Sequence, residues 1–191
     1  MKPVSFYLVT DTHYFENELG VEGKAFEEYM RKEQYFMEES STIIKSTFSR
    51  IIEDKDTDTV IIPGDLTKNG ELESHKSFIK ELYRLRESGK KIFVITAGHD
   101  YNDSAYVLQG EGRVPVEGTN FDDLCEMDRD FGYGDAIAID EPTHSYMAQI
   151  TEGVRMLAIC CGSKGQPKGA MDERHMDWAK EQIDKAKEDN C

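Results

Sequence analysis

The sequence predicts an α/β protein with a parallel sheet built around a βαβαβ core. Three short apolar runs rich in strand-forming residues alternate with two amphipathic segments in the first half of the 191-residue chain. Each apolar run ends abruptly in a polar sequence that contains Asp or His. Such alternation is typical of parallel sheets, in which helices connect neighbouring strands. The length suits a single domain over residues 1–191.

The predicted parallel strands cover residues 4–9, 59–62 and 92–96. Their length and their Val, Ile and Phe content favour buried strands over helices. The sequences that follow them are, in order, Thr10-Asp11-Thr12-His13, Pro63-Gly64-Asp65-Leu66-Thr67 and Ala97-Gly98-His99-Asp100.

Two amphipathic helices are predicted between these strands. In the first, Ile and Phe residues recur on one helical face between Ile43 and Ile52, and the helix should stop near Asp54. The second should run from about Glu73 to Glu87. Each helix is expected to bury its apolar face on the sheet.

The rest of the chain divides into two inserts, a hairpin and a late helix. Residues 14–40, partly helical around 25–38, and the loop-rich acidic residues 101–141 are predicted to be inserts or cap loops. Residues 145–150 and 155–161 alternate as a β-hairpin, and a final helix should run from Asp172 to about Lys187. The acidic segment lacks the Gly and Glu positions of a calcium loop, which indicates a solvated surface.

The composition excludes several classes of function. With 23 basic against 38 acidic residues and a net charge of −15, non-specific binding to nucleic acid or to anionic membranes is not expected. No apolar stretch is long enough to span a bilayer, and residues 1–3 lead directly into the first strand without a signal peptide. The four cysteines show no CxxC spacing, so a reduced, cytoplasmic protein is expected.

Acidic and histidine side chains follow all three predicted strands. They are Asp11 and His13, then Asp65, then His99 and Asp100. Because the carboxyl ends of parallel strands share one edge of a sheet, these side chains should converge. Oxygen and nitrogen donors without thiolates favour Mn, Fe, Zn or Mg. The sequence therefore predicts a divalent-metal site at this edge.

The ordered motifs Asp11-Thr12-His13, Gly64-Asp65-Leu66-Thr67 and Gly98-His99-Asp100 resemble the first three motifs of the calcineurin-like metallophosphoesterases. Gly169-Ala170-Met171-Asp172, followed by Trp178, is similar to the start of that family's late helix. The resemblance implies a four-layer αββα sandwich. It covers most of the chain except the two inserts.

The resemblance also implies roles for individual residues. Asp11 and His13 would bind one metal ion, and Asp65 would bridge it to a second. His99 would protonate the leaving oxygen, with its imidazole oriented by Asp100. The implied activity is phosphomonoester or phosphodiester hydrolysis, in which a hydroxide shared by two divalent ions attacks phosphorus.

Two departures from the family pattern affect the second metal. Gly98 occupies the position of an Asn ligand, and Asn102 is the nearest side chain that could replace it. The family also uses three later histidines, whose positions are not matched by His75, His144 or His175. These three are interpreted as surface or packing residues. The chain is therefore expected to be incomplete at its C-terminus, to hold at most one tightly bound metal and to be weakly active or inactive alone.

Three other classes of protein share part of this pattern. A degenerate member that binds a nucleotide or a protein partner without hydrolysis is favoured by Gly98. A phosphatase of the haloacid dehalogenase type needs Asp-x-Asp after the first strand, where this chain has Asp11-x-His13. A dinucleotide-binding fold would require Gly-x-Gly-x-x-Gly after Val9, which is absent.

Overall fold

The computed structural model describes residues 4–32, 36–161 and 171–191, so the Gly169-Ala170 part of the predicted late motif lies outside the described residues. No described helix is both long and apolar enough to cross a membrane. The described helices are α1 (Lys24–Lys32), α2 (Met37–Glu53), α3 (Leu72–Glu87), α4 (Phe121–Met127) and α5 (Glu173–Glu188). The described strands are β1 (Tyr7–Leu8), β2 (Thr59–Ile62), β3 (Lys91–Val94), β4 (Tyr106–Gln109), β5 (Gly112–Pro115), β6 (Ala138–Asp140), β7 (Ser145–Thr151) and β8 (Val154–Ala158).

Strands β1, β2 and β3 form a parallel sheet in that order. Val60 of β2 is opposite both Tyr7 of β1 and Ile92 of β3, which fixes the register. Helix α2 connects β1 to β2, and α3 connects β2 to β3. The predicted βαβαβ core is confirmed, and the carboxyl ends of the three strands lie at one edge of the sheet.

The two connecting helices are held on the sheet by the apolar faces that the sequence predicts. The inward residues of α2 include Phe48 and Ile51, and those of α3 include Phe78 and Leu82; all four are buried in one core with β2 and β3. Burying a side chain of this size stabilises the fold by about 1.5–3 kcal/mol. Helix α2 ends at Glu53, with Asp54 as its C-cap, as expected.

The first strand is shorter and more exposed than predicted. Only Tyr7–Leu8 pairs with β2, whereas residues 4–9 were expected to form a buried strand. Phe6 is 50% exposed and Leu8 is 59% exposed. Strand β1 lies at the edge of the described sheet, and Phe6 and Leu8, which are two residues apart, project from the same face, which the described residues leave largely uncovered.

Residues 101–141 contain more regular structure than predicted. The antiparallel pair β4–β5 and helix α4 lie within this segment, and β6 joins the predicted hairpin to give a second sheet in the order β6-β7-β8. The hairpin itself is confirmed, with its turn at Glu152-Gly153 and Gly153 at a φ of 73°. Only Gly adopts such a φ without strain.

Candidate metal centre

The loops that follow β1, β2 and β3 are joined by hydrogen bonds at the carboxyl edge of the sheet. The backbone N–H of His13 donates to the carbonyl oxygen of Asp65 at 2.9 Å. The backbone N–H of His99 donates to Asp65 Oδ1 at 3.0 Å. Asp65 therefore connects the other two loops, as expected of a residue at the end of the central strand.

Asp11, His13 and Asp65 form the one group in the described part of the chain with three or more donors placed to hold a metal ion. Their ligand atoms all lie within 4.8 Å of one another. Two ligands of one ion, each bonded at about 2.0–2.2 Å, can be at most about 4.4 Å apart, so small side-chain adjustments suffice. Asp11 is exposed and the other two are half-buried, which leaves the site open to solvent. The donor set fits one divalent cation.

The backbone at these three residues is strained. Asp11, His13 and Asp65 have φ values of 51°, 39° and 50° and are three of the five non-glycine residues with positive φ among those described. Such conformations cost of order 1–3 kcal/mol each and tend to occur at functional sites. The fold therefore keeps these three metal-binding residues in backbone conformations that they would not adopt by local preference.

The loops after β2 and β3 approach each other closely at Gly64. Gly64 has a φ of 85°, and a Cβ built on it would lie 2.3 Å from Cβ of Ala97. A side chain at position 64 would therefore push the two loops apart and displace Asp65 from its neighbours. The glycine of the Gly-Asp motif thus has a steric role in assembling the site.

His13 is kept neutral by its surroundings. Burial lowers the pKa of its imidazole, and the neighbouring His99 lowers it further. A neutral imidazole is the form that coordinates a metal. His13 is therefore ready to act as a ligand around neutral pH.

His99 lies beside the donor group with one ring nitrogen fixed. Its ring centroid is 4.9 Å from that of His13, edge to face. Its Nδ1 lies 2.8 Å from the carbonyl oxygen of Lys68 and donates to it. The proton on Nδ1 leaves Nε2 as the nitrogen that can exchange a proton with a substrate.

Asp100 makes different contacts from those predicted. It was expected to orient the imidazole of His99, but its two oxygens accept backbone N–H groups, from Thr67 at 3.1 Å and from Ala97 at 2.8 Å. The carbonyl of Lys68 orients His99 instead. Asp100 is fully buried, and burial raises the pKa of its carboxyl to about 7. Its observed contribution is to link the loops after β2 and β3.

The second-metal contacts proposed from sequence receive no structural support. The amide oxygen of Asn102 accepts the backbone N–H of Ser104 at 3.1 Å, within its own turn. Gly98 has no side chain to donate. A contact of Asn102 or Gly98 with a second ion or with substrate therefore stays a prediction.

The remaining histidines are packing residues, as expected. His75 Nε2 lies 3.1 Å from Asp128, in the interior. His144 stacks on Phe121, with ring centroids 4.2 Å apart. His175 is also buried, on α5.

Lys68 was missed by the sequence interpretation, although it follows the Gly-Asp motif directly. Its carbonyl orients His99, and its ammonium lies 5.2 Å from the ring centroid of Tyr29. A cation over an aromatic face is attracted by the ring. Nothing in the local sequence pairs Lys68 with Tyr29, because the two belong to segments about forty residues apart.

Comparison of the chain with models of known protein families found no match, and comparison with curated proteins found none either. The interpretation of the site therefore depends on its own geometry.

Proposed function

We propose that this protein is a metal-dependent phosphoester hydrolase of the calcineurin-like type, acting on phosphomonoesters or phosphodiesters. The observation that carries the proposal is the group of Asp11, His13 and Asp65 at the ends of parallel strands, with His99 beside it. In a strongly acidic protein, a metal ion held by carboxylates can supply locally the positive charge that attracts a phosphate group.

The packing of the second sheet supports the four-layer sandwich that this proposal implies. Tyr146 on β7 donates a hydrogen bond to the carbonyl of Val94 on β3 at 2.6 Å. The preceding residue, Ser145, contacts His175 on α5. Successive strand residues point to opposite faces, so β7 has the parallel sheet on one side and α5 on the other. With α2 and α3 packed on the parallel sheet, this order matches αββα.

Each residue of the site has a task in such a reaction. Bound divalent ions would supply positive charge for the phosphoryl oxygens and lower the pKa of a water molecule. Asp11, His13 and Asp65 would hold them and orient the phosphate. His99, with Nδ1 fixed by the carbonyl of Lys68, would give a proton from Nε2 to the leaving oxygen.

The test is Mn²⁺-dependent hydrolysis of 4-nitrophenyl phosphate and bis(4-nitrophenyl) phosphate. We expect slow turnover that Asp65→Asn lowers by more than about a hundredfold, because the residue that links all three loops loses its charge. Asp177→Asn, an exposed carboxylate on α5, is the matched control and should leave turnover unchanged. Undiminished hydrolysis in Asp65→Asn would overturn the assigned role of this residue.

A second candidate is a protein that binds a nucleotide or a protein partner at this site without hydrolysing it. It is favoured by Gly98 and by the single three-donor group in the described residues, since the reaction above calls on two ions. Stoichiometric Mn²⁺ binding without turnover of either ester, under any of Mn²⁺, Zn²⁺ or Mg²⁺, would decide for this alternative.

A further inference from the structure

A groove with a volume of about 290 Å³ lies beside the candidate metal centre. It runs between the end of β1 with its following loop, residues 9–13, and the first half of helix α2. The loop contributes Asp11 and His13, two of the three metal-binding residues. The helix and its N-cap contribute Ile43 and Phe36. We call this space the α2 groove. A ligand held by a metal ion at the centre is therefore next to it.

The side of the groove formed by α2 is apolar although it faces solvent. Phe36 is 68% exposed and Ile43 is 47% exposed. Beside them, Val9 and Ile44 line the groove and pack into the main core, which fixes their positions. Single apolar side chains scattered over a surface need no explanation, but a group of them in a groove is typical of a binding site. The α2 groove has this character.

Two of the hydroxyl groups that line the groove are engaged within the protein. Thr12 donates to the carbonyl of Leu66 at 2.7 Å. Ser40 donates to the carbonyl of Met37 at 2.9 Å and accepts the backbone N–H of Phe15 at 3.0 Å. Neither hydroxyl has a proton left to donate to a ligand. The groove therefore favours an apolar group over a sugar or another group rich in acceptors.

The charges and the size of the groove restrict its ligand further. Among the described residues that line it, none is Lys or Arg. A metal ion would neutralise one phosphate group, but a second anionic group within the groove would lack a cation and would be costly to desolvate. An apolar cavity of about 150 Å³ can hold benzene, so a groove of about 290 Å³ has room for a phenyl ring or a branched alkyl chain.

We propose that the α2 groove binds the organic part of the substrate, and that this part is a single uncharged aryl or alkyl group. The substrate is then a phosphoester of a phenol or of an apolar alcohol. The inference rests on the proposed function, because it places the phosphate of the same molecule at the metal centre. Phe36 and Ile43 contact the organic group, and the apolar area that they bury favours it over smaller groups.

The experiment compares phenylphosphonate with methylphosphonate by calorimetric titration of the Mn²⁺-loaded chain. Neither molecule has an ester bond to hydrolyse, so affinity is measured without turnover. The larger apolar area of the phenyl ring should make its phosphonate bind at least about tenfold more tightly. Phe36→Ser and Ile43→Gln should each reduce this preference by about threefold or more, without changing the affinity for methylphosphonate. Ile183→Gln, on α5, is the matched control, because Ile183 is 44% exposed and lies outside the groove.

The outcomes separate failure of this inference from failure of the proposed function. Equal affinities for the two phosphonates, together with normal Mn²⁺ binding, would overturn the inference and leave the function standing. If Mn²⁺ does not bind, the function fails, and phenol titrated in EDTA tests the groove alone through the methyl NMR signals of its isoleucines. Saturable shifts at Ile43 and Ile44, but not at Ile183, would support an apolar binding site. Unchanged signals would overturn it.

Sedimentation of the metal-free chain tests whether a second copy covers the groove instead. We expect the wild-type protein and Ile43→Gln to sediment alike. A wild-type dimer that Ile43→Gln converts to a monomer would assign the groove to an interface between copies and would overturn the inference.

Discussion

Two clusters in this molecule combine aspartate with histidine, but they differ in their other members and in their exposure to solvent. The strand-end cluster is Asp11, His13 and Asp65. The second-sheet cluster lies between β6, β7 and α5 and consists of Asp140, Thr143, Ser145, Arg174 and His175. The first is partly open to solvent and built on residues with positive φ, whereas the second is mostly buried.

The clusters also differ in how their polar atoms are satisfied. In the second-sheet cluster, Asp140 accepts two hydrogen bonds from Arg174, and Ser145 Oγ lies 2.8 Å from His175 Nε2. In the strand-end cluster, Asp65 accepts the backbone N–H of His99, and the metal-binding atoms of the three residues converge within 4.8 Å of one another. A set of His and Asp residues whose hydrogen bonds are made within the protein is a structural element. A strained, solvent-accessible set is the better candidate for binding a cation.

The buried carboxylates of the two regions should respond oppositely to pH. Burial raises the pKa of Asp100 to about 7, so its contribution to stability is full below about pH 4 and is lost as the pH rises through 7. Burial also acts against ionisation of Asp140, but Arg174 and Thr143 outweigh this effect and lower the pKa of the carboxyl. The contribution of Asp140 to stability is therefore lost as the pH falls through this lowered pKa.

The largest predicted effect is the pH dependence due to Asp100. The free energy of unfolding should fall by up to about 4 kcal/mol between pH 4 and pH 7 through this group, and Asp100→Asn should flatten that slope. Urea unfolding across this pH range measures it, with the exposed Asp103→Asn as the matched control. An unchanged slope in Asp100→Asn would show that this carboxyl titrates normally.

Breaking the second-sheet cluster should cost stability and leave metal binding intact. Asp140→Ala removes the partner of Arg174 and of Thr143, and we expect a loss of about 1.5–3 kcal/mol in the free energy of unfolding, because hydrogen bonds to a charged group are lost. Mn²⁺ affinity under native conditions should stay unchanged. Loss of metal affinity in a folded Asp140→Ala variant would contradict a purely structural role for the second-sheet cluster.

Changing the strand-end cluster should instead weaken metal binding. His13→Ala should weaken Mn²⁺ binding by about a hundredfold, because one of three donors is removed. His175→Ala serves as the matched control and should retain the wild-type affinity. Equilibrium dialysis should find at most one tightly bound ion per wild-type chain. Two stoichiometric ions would contradict the interpretation of Gly98 as a missing ligand.

The smallest predicted effect is a gain in the stability of the metal-free protein. Asp11→Gly should stabilise the metal-free protein by about 0.5–1 kcal/mol, because glycine adopts a φ of 51° without strain. The same substitution should weaken Mn²⁺ binding. Thermal unfolding in EDTA measures the first effect, and a lower melting temperature would show that Asp11 is not strained by its position.

The sequence was sufficient to predict what depends on local pattern. The strand at Thr59–Ile62, the helix at Leu72–Glu87 and the hairpin follow from apolar periodicity and turn residues, and the βαβαβ order then brings Asp11 and Asp65 to one edge. The sequence could not predict contacts that depend on unrelated segments meeting. Asp100 bonds two backbone N–H groups and not His99, because the main-chain path of the loops decides which donors surround it.

The same limit explains why the sequence did not predict that the two inserts pack on each other, with Phe26 and Val107 in one apolar cluster. Strands β4 and β5 are short, and three of the four residues of β5 are Gly, Arg and Pro. The pair therefore lacks the apolar alternation that would predict a hairpin. Helix α1, which packs on this pair, is predominantly polar, and its one buried residue, Phe26, lies in a core shared with Val107 of the other insert. Neither segment carries enough apolar periodicity by itself to predict that they form one unit.

The close approach of Gly64 to Ala97 sets limits on how this protein can be altered by directed evolution. A side chain cannot be added at position 64 without displacing the loop that carries Ala97. Randomised libraries should therefore keep Gly64, because any side chain there would push apart the loops that hold Asp65 and His99.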